Sequence, residues 1–148
     1  MTEQSANVLS RGEGKNGLGQ INAETCAVLD FPYTFASRFG DDRRSTNPVE
    51  TLAVADAVCF TMAFSPDCEQ AAFAPARLDT RAPVELSTVG KDVVIDRMAL
   101  NPSAIAPGLD EACCQEIAVA SKRDCPLIRA LASVAEIPFQ ATLARRVQ

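Results

Sequence analysis

Residues 46–60 read TNPVETLAVADAVCF, and the folding of that stretch decides how the rest of the chain must be arranged. Asn47 suits the cap position before a helix, Pro48 the first helical position and Glu50 the third, where a carboxylate can complete a capping box. The spacing predicts a helix from Pro48 to Ser65, about 27 Å long at ~1.5 Å per residue. Apart from Asp56 it is apolar nearly all round, the pattern of an element covered on most sides. Pro66 is expected to kink or end it, since proline lacks the N–H and crowds the carbonyl one turn back. A chain of 148 residues has little material to bury such a helix, so a second copy is expected to help cover it. Deep in the helix stands Cys59, which is either core filling or a thiol on display.

Outward from the helix the pattern is mixed. SRGEGKNGLG (10–19) holds four of the seven glycines and reads as a loop or hairpin connection. Alternation over Gln20–Thr25 predicts a half-buried strand. Tyr33–Phe39 reads as extended, with Tyr33, Phe35, Ser37 and Phe39 on one face and Arg38 on the other. Arg77–Ser87 and Asp92–Leu100 read as paired strands, and Leu109–Lys122 as a helix with acids early and bases late. Cys125 precedes Pro126 at the start of a further short helix, and Glu136–Arg145 reads as an edge strand because it contains Pro138. Strands and helices are grouped rather than strictly alternating. That predicts a single α+β domain over residues 1–148, an antiparallel sheet with a long buried central helix.

Composition narrows the chemistry. A net charge of −5 argues against a nucleic-acid backbone as partner. The longest apolar run, Leu52–Phe64, is interrupted by Asp56 and is too short to span a bilayer. The polar opening MTEQSANVLSRGEG lacks the pattern of a signal segment, so a cytoplasmic location is expected. There is no histidine, which excludes Ser-His-Asp triads, Cys-His dyads and histidine metal sites. The six cysteines are Cys26, Cys59, Cys68, Cys113, Cys114 and Cys125. They form no CxxC, so a zinc site is not indicated.

Three segments taken together, PYTFASRF, TNPVETLAVADAVCFTMA and DCPLIRAL, resemble in order and spacing those of the OsmC/Ohr family, and the OsmC branch more closely. These are the osmotically inducible protein C and the organic hydroperoxide resistance proteins. The resemblance covers nearly the whole chain. It implies a tightly intertwined homodimer of α+β subunits, acting as a thiol peroxidase on organic hydroperoxides and less well on hydrogen peroxide. In that scheme Cys59 matches the peroxidatic cysteine, Cys125 the resolving cysteine and Arg38 the arginine that holds the thiolate and polarises the peroxide. A dithiol such as lipoamide, or a lipoylated protein, is the implied reductant, and neither metal nor organic cofactor is implied.

Elementary chemistry fits those roles. A free thiol is only a few per cent ionised at neutral pH. Cys59 also lies too far along its helix for the N-terminal dipole to reach it. Without histidine, a cation for the thiolate must be an arginine or lysine, and a guanidinium can also donate to the leaving oxygen. Three departures from the family pattern stand out, one of them Pro66, which interrupts a segment that is normally helical. Val49 occupies the position of a glutamate that orients the catalytic arginine. Glu50 is placed about 180° round the helix from Cys59 at ~100° per residue, so it is not a substitute. Asp56 stands one turn before Cys59, where a neutral residue or histidine is common. The first reading is therefore a peroxidase slowed by Val49. The second is a non-catalytic relative that binds an apolar ligand or senses oxidants.

Overall fold

The computed structural model describes residues 3–12, 16–131 and 138–144. The chain divides into two compact units, Met1–Thr51 and Leu52–Gln148. In the first, strands β1 (Ala6–Arg11), β2 (Leu18–Ala23) and β3 (Phe31–Thr34) form an antiparallel sheet in that order. Its register runs from Ala6 opposite Ala23 to Arg11 opposite Leu18, and Leu18 then faces Thr34. The glycine-rich stretch is the β1–β2 connection. Gly19 is required in β2 because the ring of Tyr33 lies where a Cβ would stand.

The extended reading of Tyr33–Phe39 holds only as far as Thr34. Residues Phe35–Phe39 form a short helix, α1. Local capping overrides the alternation: the Thr34 hydroxyl accepts from the Ser37 N–H at 3.0 Å, and Ser37 Oγ accepts from the Thr34 N–H at 3.4 Å. Arg38 is thus a residue of α1 and not of a strand.

Helix α2 (Pro48–Gln70) starts where the sequence indicates. The Asn47 side chain accepts from the N–H groups of Val49 and Glu50, each at 3.0 Å. The capping box is altered in one respect: Glu50 accepts from the Thr46 hydroxyl at 2.8 Å. Pro66 does not stop the helix, which continues to Gln70. The chain then turns away at Ala72, which adopts the left-handed conformation (φ 66). The N–H groups of Ala72 and Phe73 return to the carbonyls of Glu69 and Cys68, each at 2.9 Å, and this satisfies the last turn. At 23 residues α2 is longer than the apolar run suggested, and by length and composition alone it could cross a membrane. Its edge Asp56, Phe60, Phe64 and Cys68, spaced four apart, is nevertheless part of a protein core. Burial is confined to that edge, and Val54, Val58 and Met62 are exposed, so the chain by itself does not enclose the helix on most sides.

The second unit completes the fold. β4 (Arg77–Arg81) pairs antiparallel with β7 (Asn101–Ile105), and β8 (Thr142–Leu143) joins β7 in parallel. β5 (Val84–Val89) and β6 (Asp92–Met98) form a hairpin that turns at Gly90, φ 66. The stretch read as one strand, Arg77–Ser87, is two strands interrupted at Ala82-Pro83. Pro83 cannot donate to a ladder, though its carbonyl accepts from Ala99 N–H at 2.9 Å. Helix α3 (Glu111–Asp124) is capped by Asp110, which accepts from Cys113 N–H at 2.8 Å. Helix α4 (Pro126–Ala130) follows at once. Of the predicted strand Glu136–Arg145, residues 136–137 and 145 lie outside the described residues. The rest supplies β8 and a bridge between Leu100 and Phe139. Phe60, Phe64, Leu100, Ala104, Ala118 and Ile128 are the centre of the core. The arrangement is α+β, and among the described residues the pairing is antiparallel except at β8 and the two isolated bridges.

Candidate active site

Two of the three candidate residues meet in the second unit. Cys59, half-buried beside the core edge of α2, has its sulfur 2.7 Å from that of Cys125. Cys125 is positioned by the residue that follows it. A residue before proline is disfavoured in the helical region, so α3 ends there with Cys125 extended (φ −67, ψ 117), and Pro126 opens α4. The Cys125 N–H closes α3 on the Ser121 carbonyl at 3.1 Å, while its own carbonyl accepts from Arg129 N–H at 3.2 Å. Its side chain is fully buried. Burial pushes the Cys125 thiol up, and the contact with Cys59 pushes it further; the nearby N–H groups of Ile128 and Leu127 draw it partly back.

One helical turn before each of these cysteines stands a charged residue: Asp56 before Cys59, and Lys122 before Cys125. Asp56 is 1% exposed, and both carboxylate oxygens lack a hydrogen-bond partner. Burial raises its pKa, and the charge of Lys122 opposes the rise. Lys122 is its counterpart, lowered by burial and raised by Asp56. The Lys122 ammonium lies 5.4 Å from the centroid of the Phe139 ring, which packs against Phe60 with centroids 5.5 Å apart. Sequence reasoning placed Lys122 only as a favourable base at a helix C-terminus. The signal that could have singled it out is the shared spacing, three residues ahead of the cysteine on both segments.

Arg38 is a residue of the first unit, exposed on α1. With Tyr33, Thr34, Phe35 and Pro48 it lines a cavity of about 230 Å³. Val49, the second residue of α2, is half-buried in the same unit, and Glu50 is taken up by its bond to Thr46.

The other cysteines have different surroundings. Burial, with a smaller contribution from the neighbouring Cys114 thiol, pushes Cys68 up to about 11. Cys114 is raised by burial as well. Cys113 packs against the core and Cys26 is exposed. Among the described residues no group of three or more Cys, Asp or Glu is placed to hold a metal ion.

Fold and sulfur contact together define an α+β protein with a thiol pair of the kind that can cycle between dithiol and disulfide. Residues 40–139 match the family described as OsmC-like protein, and the chain belongs to that family. It is 33% identical over 129 residues to peroxiredoxin OsmC of Escherichia coli, across 87% of this chain and 90% of that one. Two solved structures show the same fold. An OsmC-like protein of unknown function from Vibrio cholerae superimposes with a TM-score of 0.76 at 12% identity, covering 95% of this chain and 99% of its own. The organic hydroperoxide resistance protein OhrB of Bacillus subtilis gives a TM-score of 0.62 at 21% identity, with 95% and 98% covered. Peroxide-directed redox chemistry is the class of function that the family supports.

Proposed function

We propose that the chain is a thiol peroxidase that reduces organic hydroperoxides, and hydrogen peroxide less well, through Cys59 and Cys125. The Cys59 thiolate attacks one peroxide oxygen and the O–O bond breaks. The alcohol departs with a proton, leaving a sulfenic acid on Cys59. The Cys125 thiol then displaces that hydroxyl as water, forming a disulfide. A dithiol such as lipoamide, free or on a lipoylated protein, returns the pair to thiols by exchange. Arg38 is the proposed cation for the thiolate and donor to the departing oxygen. The observation that carries this reading is the 2.7 Å contact between two sulfurs 66 residues apart in the chain. The working form is proposed to be a homodimer. The exposed stripe Val54, Val58 and Met62 (72% exposed) on α2 is the surface a second copy would cover.

The test is consumption of cumene hydroperoxide with dihydrolipoamide by wild type and Cys59→Ser. Turnover by wild type that Cys59→Ser abolishes is expected. Absence of turnover, or turnover indifferent to that change, refutes the reading. A non-catalytic binder or oxidant sensor is the second reading, favoured by the apolar Val49 at the head of α2. It predicts oxidation of Cys59 without multiple turnovers.

A further inference from the structure

Of the buried polar side chains Thr46, Asp56 and Ser121, the first and last are hydrogen-bonded to Glu50 and Asp67, which leaves Asp56 to be accounted for. Buried carboxylates in folded proteins are almost always hydrogen-bonded, and a native exception calls for an explanation. Asp56 has no such bond, whereas Asp67, the other acid in the core-facing half of α2, accepts from the Ser121 hydroxyl at 2.5 Å. Residues three apart on a helix have Cβ atoms about 5–6 Å apart. Asp56 and Cys59 are therefore adjacent positions on the surface of α2, and the Cys59 sulfur touches that of Cys125.

The chemistry of resolution needs a group at that place. Burial and the contact with Cys59 push the Cys125 thiol up, away from the thiolate that is the attacking species. Its proton must leave one sulfur and reach the hydroxyl departing from the other. The chain has no histidine to carry it, and Cys125 is shut off from solvent.

We propose that Asp56 holds this proton during disulfide formation, with Lys122 keeping it ionisable; the proposal rests on the peroxidase reading above. The Asp56 carboxylate takes the thiol proton. The Cys125 sulfur bonds to the Cys59 sulfur as the S–O bond breaks, and the leaving hydroxide takes the proton from Asp56 to become water. One thiol and one sulfenic acid give one disulfide and one water, and Asp56 ends as it began. Lys122, from α3, is the charged group whose field acts on Asp56. Cys59 on α2 and Cys125 ahead of α4 are the titratable groups beside it.

The experiment mixes reduced protein with one equivalent of cumene hydroperoxide and quenches at intervals. Mass spectrometry then counts dimedone-trapped sulfenic acid and disulfide separately. For Asp56→Asn the expected result is sulfenic acid that still forms and then persists, with its conversion to disulfide slower by about 100-fold. Asp56→Glu should recover part of that loss. In Lys122→Met the carboxylate loses its cation, so the acid limb of the disulfide-formation profile should move to higher pH. That variant keeps the test open if Asp56→Asn folds poorly. A purely structural Asp56 predicts lower thermal stability with unchanged resolution. Wild-type disulfide formation in Asp56→Asn, or an unmoved profile in Lys122→Met, overturns this proposal alone. Absence of both sulfenic acid and disulfide in wild type overturns the peroxidase reading and this proposal with it.

Discussion

Replacing Cys125 by serine separates the two halves of the proposed cycle. The substitution removes one sulfur atom from a fully buried position and leaves the helix junction intact, because the N–H and carbonyl of residue 125 make the bonds to Ser121 and Arg129. What it removes is a nucleophile standing 2.7 Å from the reacting sulfur. Groups held in reactive geometry can reach effective molarities of ~10⁵ M or more. An external dithiol at about 1 mM supplies ~10⁻³ M, so the internal route leads by up to about 10⁸-fold on proximity alone. The variant should therefore form Cys59 sulfenic acid and stall there. Multiple-turnover consumption should fall by at least about 100-fold, a small part of that proximity advantage. With excess peroxide the stalled acid should climb to the irreversible sulfinic state. The assay is intact mass at intervals after peroxide addition: wild type loses two hydrogens, whereas the variant gains first one oxygen and then two. A Cys125→Ser protein that turns over at the wild-type rate, or resists overoxidation as wild type does, would refute the assignment of Cys125 as resolving thiol.

Val49→Glu should raise kcat/KM for cumene hydroperoxide several-fold if the missing carboxylate is what slows the enzyme; an unchanged value means position 49 has no such role. Cys68, pushed up to about 11 by burial, should have about one thiolate in a thousand at pH 8. Alkylation of the folded, reduced protein should therefore leave Cys68 unlabelled while exposed Cys26 reacts, and only denaturation should equalise them. Phe60→Ala removes a fully buried ring that packs on Phe64 at 5.4 Å and on Phe139 at 5.5 Å. The cost should be about 3–5 kcal/mol, read as an earlier urea midpoint.

The start of α2 was legible because it depends on neighbours in sequence: Asn47, Pro48 and Glu50 fall at the positions that local hydrogen bonding demands. The end of α2 was not, because the carbonyl left by Pro66 competes with a core that holds Phe64 and Cys68 on either side of it. Tyr33–Phe39 misled for the opposite reason, since alternation is a weak signal against a Thr34–Ser37 capping box. Of the site, the residue types and the proximity of Cys59 and Cys125 could be anticipated through family resemblance alone. Nothing in the spacing of two residues 66 apart places their sulfurs in contact. Lys122 was invisible as a partner for Asp56 because its significance depends on tertiary packing.

Val49 and Asp56, two of the three departures from the family pattern, lie on one helix with the third, Pro66. Positions 49 and 56 are seven residues apart, two turns, so helical periodicity brings them to within about 20° of each other round α2. The resemblance implies a glutamate at the first position, where this chain has Val49, and this chain has a carboxylate at the second, a single turn from Cys59. The cation acting on Asp56 is Lys122, whereas the family pattern implied by the resemblance pairs its glutamate with a guanidinium. A carboxylate beside an arginine acts on the peroxide-cleaving step, by fixing the group that meets the leaving oxygen. A carboxylate one turn from a half-buried sulfur that touches a buried one is proposed to act on the later step, by taking the proton of the buried Cys125 thiol. On this argument Val49 and Asp56 shift electrostatic support from oxidation of Cys59 toward its resolution by Cys125.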